Sequence, residues 1–92
     1  MKLEPTNISN YKLVINEQGS PVAVQINGVV AFRLNDTVKV TDDGYGYICP
    51  GISKPGIGQI VEICRDDTDH FFGVQMRNGE FGYMKCSRMT RC

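Results

Sequence analysis

The chain has 92 residues and a mass of 10.3 kDa, enough for one domain and one core. Hydrophobic residues make up 41% and ten basic side chains balance ten acidic ones, which argues against wholesale disorder and against a general polyanion or membrane-surface binder. The longest apolar run, Val29 to Phe32, has four residues, far short of a membrane span, and Met1-Lys2-Leu3-Glu4-Pro5 is not an apolar leader. The expected location is therefore the cytoplasm.

No helix-length amphipathic pattern occurs. Short stretches rich in Val, Ile, Phe and Tyr are punctuated by Gly, Pro, Asn and Asp, the pattern of a small all-β fold. Residues 1–10 carry Pro5, Thr6, Asn7, Ser9 and Asn10 and are expected to be loosely ordered. Tyr11–Asn16 reads as a strand with Tyr11, Leu13 and Ile15 on one face. After the Glu17–Pro21 turn, Val22–Asn27 returns with Val22, Val24 and Ile26 aligned. Asn27-Gly28 is a strong tight-turn signal, and Val29–Phe32 follows it, so residues 11–32 are expected to form a β-meander, packed in cis or on a neighbouring subunit.

From residue 33 to 92 the order is turn, strand, long loop, strand, polar turn, strand, tight turn, strand and one terminal turn. Leu34-Asn35-Asp36 turns into the alternating strand Thr37–Thr41. Residues 42–58 form a long loop with five of the ten glycines. Gln59–Arg65 is the next strand, with Val61 and Ile63 facing one way, followed by the polar turn Asp66–His70. Phe71–Arg77 and Phe81–Lys85 flank a second tight turn at Asn78-Gly79, and Cys86-Ser87-Arg88 has the length of a single 3₁₀ turn before Met89-Thr90-Arg91 closes the chain. The expected core is Val24, Ile26, Phe32, Val38, Val40, Val61, Ile63, Phe72, Val74, Met76 and Met84.

This order of loop lengths resembles the Src-homology-3-like small barrel, which buries a Val/Ile/Met core and most of its sheet edges. The resemblance implies a fold but no single activity. The peptide-binding members use a tryptophan-lined groove, and this chain has no Trp. Tyr45 and Tyr47 do occupy the long loop, and with Phe71, Phe72 and Tyr83 they supply rings for a cage around a methylated cation. The blander reading puts Phe72 in the core and the tyrosines over the barrel mouth. Leu34–Lys39 and Gly58-Gln59-Ile60-Val61 also resemble the plasmid type II dihydrofolate reductases, tetramers whose active site lines a central pore. The nearest string to their pore motif is Val74-Gln75-Met76-Arg77, or, in strict register, Gly82-Tyr83-Met84-Lys85. A small neutral chain of this kind also resembles the products of phage or mobile gene cassettes.

Other chemistry finds little purchase. Cys49, Cys64, Cys86 and Cys92 form no C-x-x-C pair, so neither a zinc ribbon nor a redox motif is expected, and no metal or cofactor is assigned. Asp42 and Asp43 are adjacent and point to opposite sides of an extended chain. Gly56-Ile57-Gly58 lacks the Lys-Ser/Thr of a phosphate loop. His70, the lone histidine, sits among aspartates that favour its charged form and reads as a solvated turn residue. No catalytic residue is assigned.

Charge is segregated: residues 1–33 carry net +1, residues 34–69 net −4 and residues 70–92 net +3. The expected partner-binding residues are Tyr45, Tyr47, Phe71 and Tyr83. Arg77, Phe81, Lys85, Arg88 and Arg91 are the candidates for a subunit or nucleic-acid contact. Neutral overall charge ranks a homo-oligomer or protein partner above nucleic acid. The leading expectation is a non-enzymatic binding module, with a pore-type reductase and a nucleic-acid binder as alternatives.

Overall fold

The computed structural model describes residues 11–64 and 71–92. The first ten residues and the polar turn containing His70 lie outside the described residues. Eight strands follow in order: β1 (Tyr11–Ile15), β2 (Pro21–Ile26), β3 (Val29–Arg33), β4 (Thr37–Val40), β5 (Gly56–Ile63), β6 (Phe71–Met76), β7 (Phe81–Lys85) and β8 (Met89–Arg91), with one 3₁₀ turn (Cys86–Arg88) before the last. They form two antiparallel sheets, a three-stranded β1-β2-β3 and a five-stranded β7-β6-β5-β4-β8.

The turns follow from their residues. Asn27 and Gly28 have φ of 55° and 82°, the pair of left-handed residues that a two-residue hairpin needs to match strand twist. Asn78-Gly79 behaves differently. Gly79 N–H donates to Met76 O and Met76 N–H to Glu80 O, so the β6–β7 loop is one residue longer, with only Gly79 left-handed. Asn16–Ser20 repeats that geometry, and Asn16 Oδ1 accepts from the amides of Gln18 and Ser20.

The two sheets share one core. Val24 from β2 and Phe32 from β3 are buried with Val38, Val40, Ile60, Ile63, Phe72, Val74 and Met84 of the larger sheet. The Phe32 and Phe72 rings meet at 5.3 Å and 56°. Backbone bonds also tie the β3–β4 turn, which links the sheets, to β5, from Asn35 N–H to Ile60 O at 2.7 Å and from Ile60 N–H to Asp36 O at 2.9 Å.

Four sequence expectations are corrected. The five-stranded sheet is not a closed barrel: no ladder among the described residues joins β7 to β8. A turn of the long loop, bridged between Cys49 and Ile52, lies against β7 instead. Val61 is 43% exposed, not core, because a register shift between Ile60 and Glu62 puts Ile60 and Ile63 inward. Ile15, expected on one face with Tyr11 and Leu13, is exposed beyond the register shift at Val14/Ile15 while those two are partly covered. In β2 the expected Val22-Val24-Ile26 alternation gives way to burial of the neighbours Ala23 and Val24, and Ile26 is only partly covered. The long loop is also more structural than its composition suggests, since Ile48, Cys49 and Ile52 are buried in the core. Met89, at the start of β8, joins them there.

Candidate functional site

A groove of about 240 Å³ opens where the long loop, β6, β7 and the 3₁₀ turn meet. Tyr47, Pro50, Phe71, Tyr83, Lys85 and Arg88 are among its walls. The local sequence explains how each wall is placed. On β7, Phe81, Tyr83 and Lys85 alternate outward while Gly82 and Met84 face inward. Register then sets Lys85 opposite Phe71 and Tyr83 opposite Gly73. The Lys85 ammonium lies 5.8 Å from the Phe71 ring centroid, a cation–π contact. With no side chain at Gly73, the Tyr83 and Phe81 rings settle over the β6 backbone and meet edge to face at 5.1 Å.

Two latches hold the loop wall. At its tip, Asp43 Oδ1 accepts from Tyr45 N–H at 2.8 Å and Tyr47 N–H at 3.2 Å, while Asp43 N–H donates to Tyr47 O. The Tyr45 amide, followed by that of Tyr47 and the nearby Arg88 charge, holds the Asp43 carboxyl below the usual range. At the other end, Glu80 accepts from Ser53 Oγ at 2.8 Å, Ser53 N–H at 3.1 Å and Asn78 Nδ2 at 3.2 Å. Between the latches the loop approaches β7 closely. A Cβ at Gly82 would lie 2.7 Å from Pro50 O and 2.8 Å from Cys49 Sγ, and one at Gly51 would meet the Phe81 carbonyl.

The groove's electrostatics come from few groups. The Tyr83 hydroxyl donates to Glu62 Oε1 at 2.8 Å, and that bond raises the Tyr83 pKa. Arg88 anchors its turn through its backbone, whose carbonyl accepts from Thr41 N–H at 2.9 Å. Its guanidinium is poorly satisfied: Nε is buried without a hydrogen-bond partner, and Nη1 reaches only Ser87 Oγ at 3.4 Å. Burial pushes the Cys49 thiol up, the opposite of what a nucleophile requires. None of the four cysteines is in a disulfide. Among the described residues no cluster of three His, Cys, Asp or Glu is placed to hold a metal, and no helix is long and apolar enough to cross a membrane.

Of the nine side chains singled out from sequence, Tyr47, Phe71, Tyr83, Lys85 and Arg88 converge on this groove. Phe81 abuts it through Tyr83. Tyr45 is 94% exposed and stands off from it. Arg77 belongs to a separate depression with Thr37, Gln59 and Gln75. Arg91 is bound to Asp36 Oδ2 at 3.0 Å and reaches Val30 O. Of the five rings considered for a cage, Phe72 is fully buried and Tyr45 is almost fully exposed, which leaves Tyr47, Phe71 and Tyr83 at the groove. In the run Val74–Arg77, Val74 and Met76 are core, and the Gln75 amide donates to Glu80 O at 3.0 Å. Ile48 and Pro50 are walls that sequence reasoning missed; the signal was an apolar Ile-Cys-Pro inside an otherwise polar, glycine-rich loop. No protein-family model, curated protein or solved structure matches the chain.

Proposed function

We propose that the chain is a non-enzymatic cytoplasmic binding module of the Src-homology-3-like class, acting through the groove between its long loop, β7 and the 3₁₀ turn. The observation that carries the reading is the convergence of Tyr47, Phe71, Tyr83, Lys85 and Arg88 on one concave surface. Aromatic rings beside cationic side chains suit recognition, because they bury large area at small entropic cost. The strand order β7-β6-β5-β4-β8, with a long loop after β4 and a 3₁₀ turn before β8, supports the fold assignment. Self-association through the N-terminal sheet belongs to the same reading.

Selection of a random peptide-display library on the immobilised chain tests it. Recovered clones are expected to bind the wild type and to lose binding to Tyr47→Ser and Tyr83→Ala. Clones that bind all three equally would overturn the groove assignment. Oxidation of reduced nicotinamide cofactor with dihydrofolate, abolished by Gln75→Ala, would overturn the non-enzymatic reading. Light scattering in reductant at two salt concentrations reads the assembly, and a mass of one chain refutes self-association.

A further inference from the structure

We infer that the partner segment is an extended peptide carrying a carboxylate next to an apolar side chain, the carboxylate seated on the Arg88 guanidinium and the apolar group against Tyr47 and Pro50. The inference rests on the binding-module reading and adds the chemistry of the ligand. It starts from Arg88, whose Nε is shut off from water yet has no acceptor. Among the described residues Arg88 forms no ion pair, and its side-chain hydrogen bond, to Ser87 Oγ, is long at 3.4 Å. The guanidinium lines the groove, and its two terminal nitrogens can meet a carboxylate bidentately while the enclosed Nε stays as it is.

The charges facing the groove agree. Lys85 stands on the same wall, with its ammonium near the Phe71 ring. Among the described residues the carboxylates nearby are already engaged, Asp43 by the amides of Tyr45 and Tyr47 and Glu62 by the Tyr83 hydroxyl. Arg88 therefore supplies the charge that meets an incoming carboxylate, and the aromatic and proline walls fit the apolar neighbour. A nucleic-acid strand fits less well. It needs a track of cations along its phosphates, but Arg77 sits in a different depression and Arg91 is paired with Asp36.

Three labelled hexapeptide pools test this by fluorescence anisotropy on the full chain: degenerate sequences with one fixed Leu followed by Glu, Gln or Lys. A labelled ten-residue oligothymidine forms the fourth arm. The Glu pool is expected to bind at least about tenfold tighter than the Gln pool, the equivalent of ~1.4 kcal/mol. That preference is lost in Arg88→Gln and reduced in Arg88→Lys, which keeps the charge but not the planar fork. Circular dichroism verifies folding, and Arg88→Lys serves as the second variant if Arg88→Gln does not fold. Equal binding of Glu and Gln pools, still lost in Tyr83→Ala, overturns the carboxylate while leaving the binding module standing. Binding of no peptide pool overturns both. Binding of the oligothymidine in preference to every peptide pool overturns the inference in favour of nucleic acid.

Discussion

Replacing Gly82 with alanine puts a methyl group where the long loop touches β7. Its Cβ would lie 2.7 Å from the Pro50 carbonyl oxygen, 2.8 Å from Cys49 Sγ and 3.2 Å from Ile52 Cγ1. One of these is backbone and the others belong to buried side chains, so none can swing aside as a flexible surface group does. Overpacking of this kind costs about 1–3 kcal/mol. Restricting the unfolded chain returns ~0.4–1 kcal/mol, leaving a net loss of roughly 1–2 kcal/mol. For a domain of this size that lowers the melting temperature by about 5–15 °C. Thermal unfolding followed by circular dichroism reads it directly. Gly56→Ala is the control, since its Cβ would meet only Met76 Cε at an ordinary 3.5 Å, and it is expected to be neutral or slightly stabilising. The loop should also lift, so that Tyr47 and Pro50 leave the groove and its ligand affinity falls with stability. A Gly82→Ala protein that melts at or above the wild-type temperature would refute the close seating of the loop on β7.

The bulge in β5 makes neighbours behave oppositely. Ile60→Ala should cost ~2–5 kcal/mol, whereas Val61→Ala should stay within about 0.5 kcal/mol in urea unfolding, and equal costs would refute the assigned register. Glu80 has its pKa lowered from 4.5, first by the Ser53 hydroxyl. Its contribution is therefore complete above that ordinary value and is lost as pH falls through the lowered one. Asp43 acts in the same direction. The urea midpoint is expected to fall on acidification, less steeply in Glu80→Gln, and parallel wild-type and variant curves would contradict the latch. Tyr83 should ionise late because Glu62 accepts its proton's hydrogen bond. An ultraviolet titration should lose a late-ionising component in Tyr83→Phe and move that component down in Glu62→Gln; no change in either variant counts against the pair. Thiol labelling of the native protein should reach exposed Cys92 first and buried Cys49 only on unfolding. Equal rates at the two positions would argue against the buried, protonated Cys49.

Much of the strand layout was readable because alternation and turn chemistry are local. Phe81–Lys85 alternates without interruption and emerges as β7 with those bounds, and Asn27-Gly28 supplies the two left-handed residues its turn requires. Five groove residues were legible in the sequence, the aromatics from their places in the long loop and strands and the cations from the basic C-terminal segment. The ones that dropped out did so for reasons of distance in sequence. Arg91 finds Asp36 fifty-five positions away, and Phe72 finds Phe32 forty positions away. Ile48 and Ile52 looked like loop residues, yet they are core because the loop folds back over the β7 edge.

The sequence by itself determined an all-β chain, the places where it turns and the outward stripe Phe81-Tyr83-Lys85, since a two-residue side-chain period and left-handed turn positions need only neighbouring residues. Tertiary structure alone decided which register the β5–β6 pair adopts, that the five-stranded sheet stays open beside β7, and that Arg88 keeps a buried donor without an acceptor. Those outcomes depend on how distant segments compete for the same space, and pairwise packing between residues far apart in the chain leaves no local signature to read.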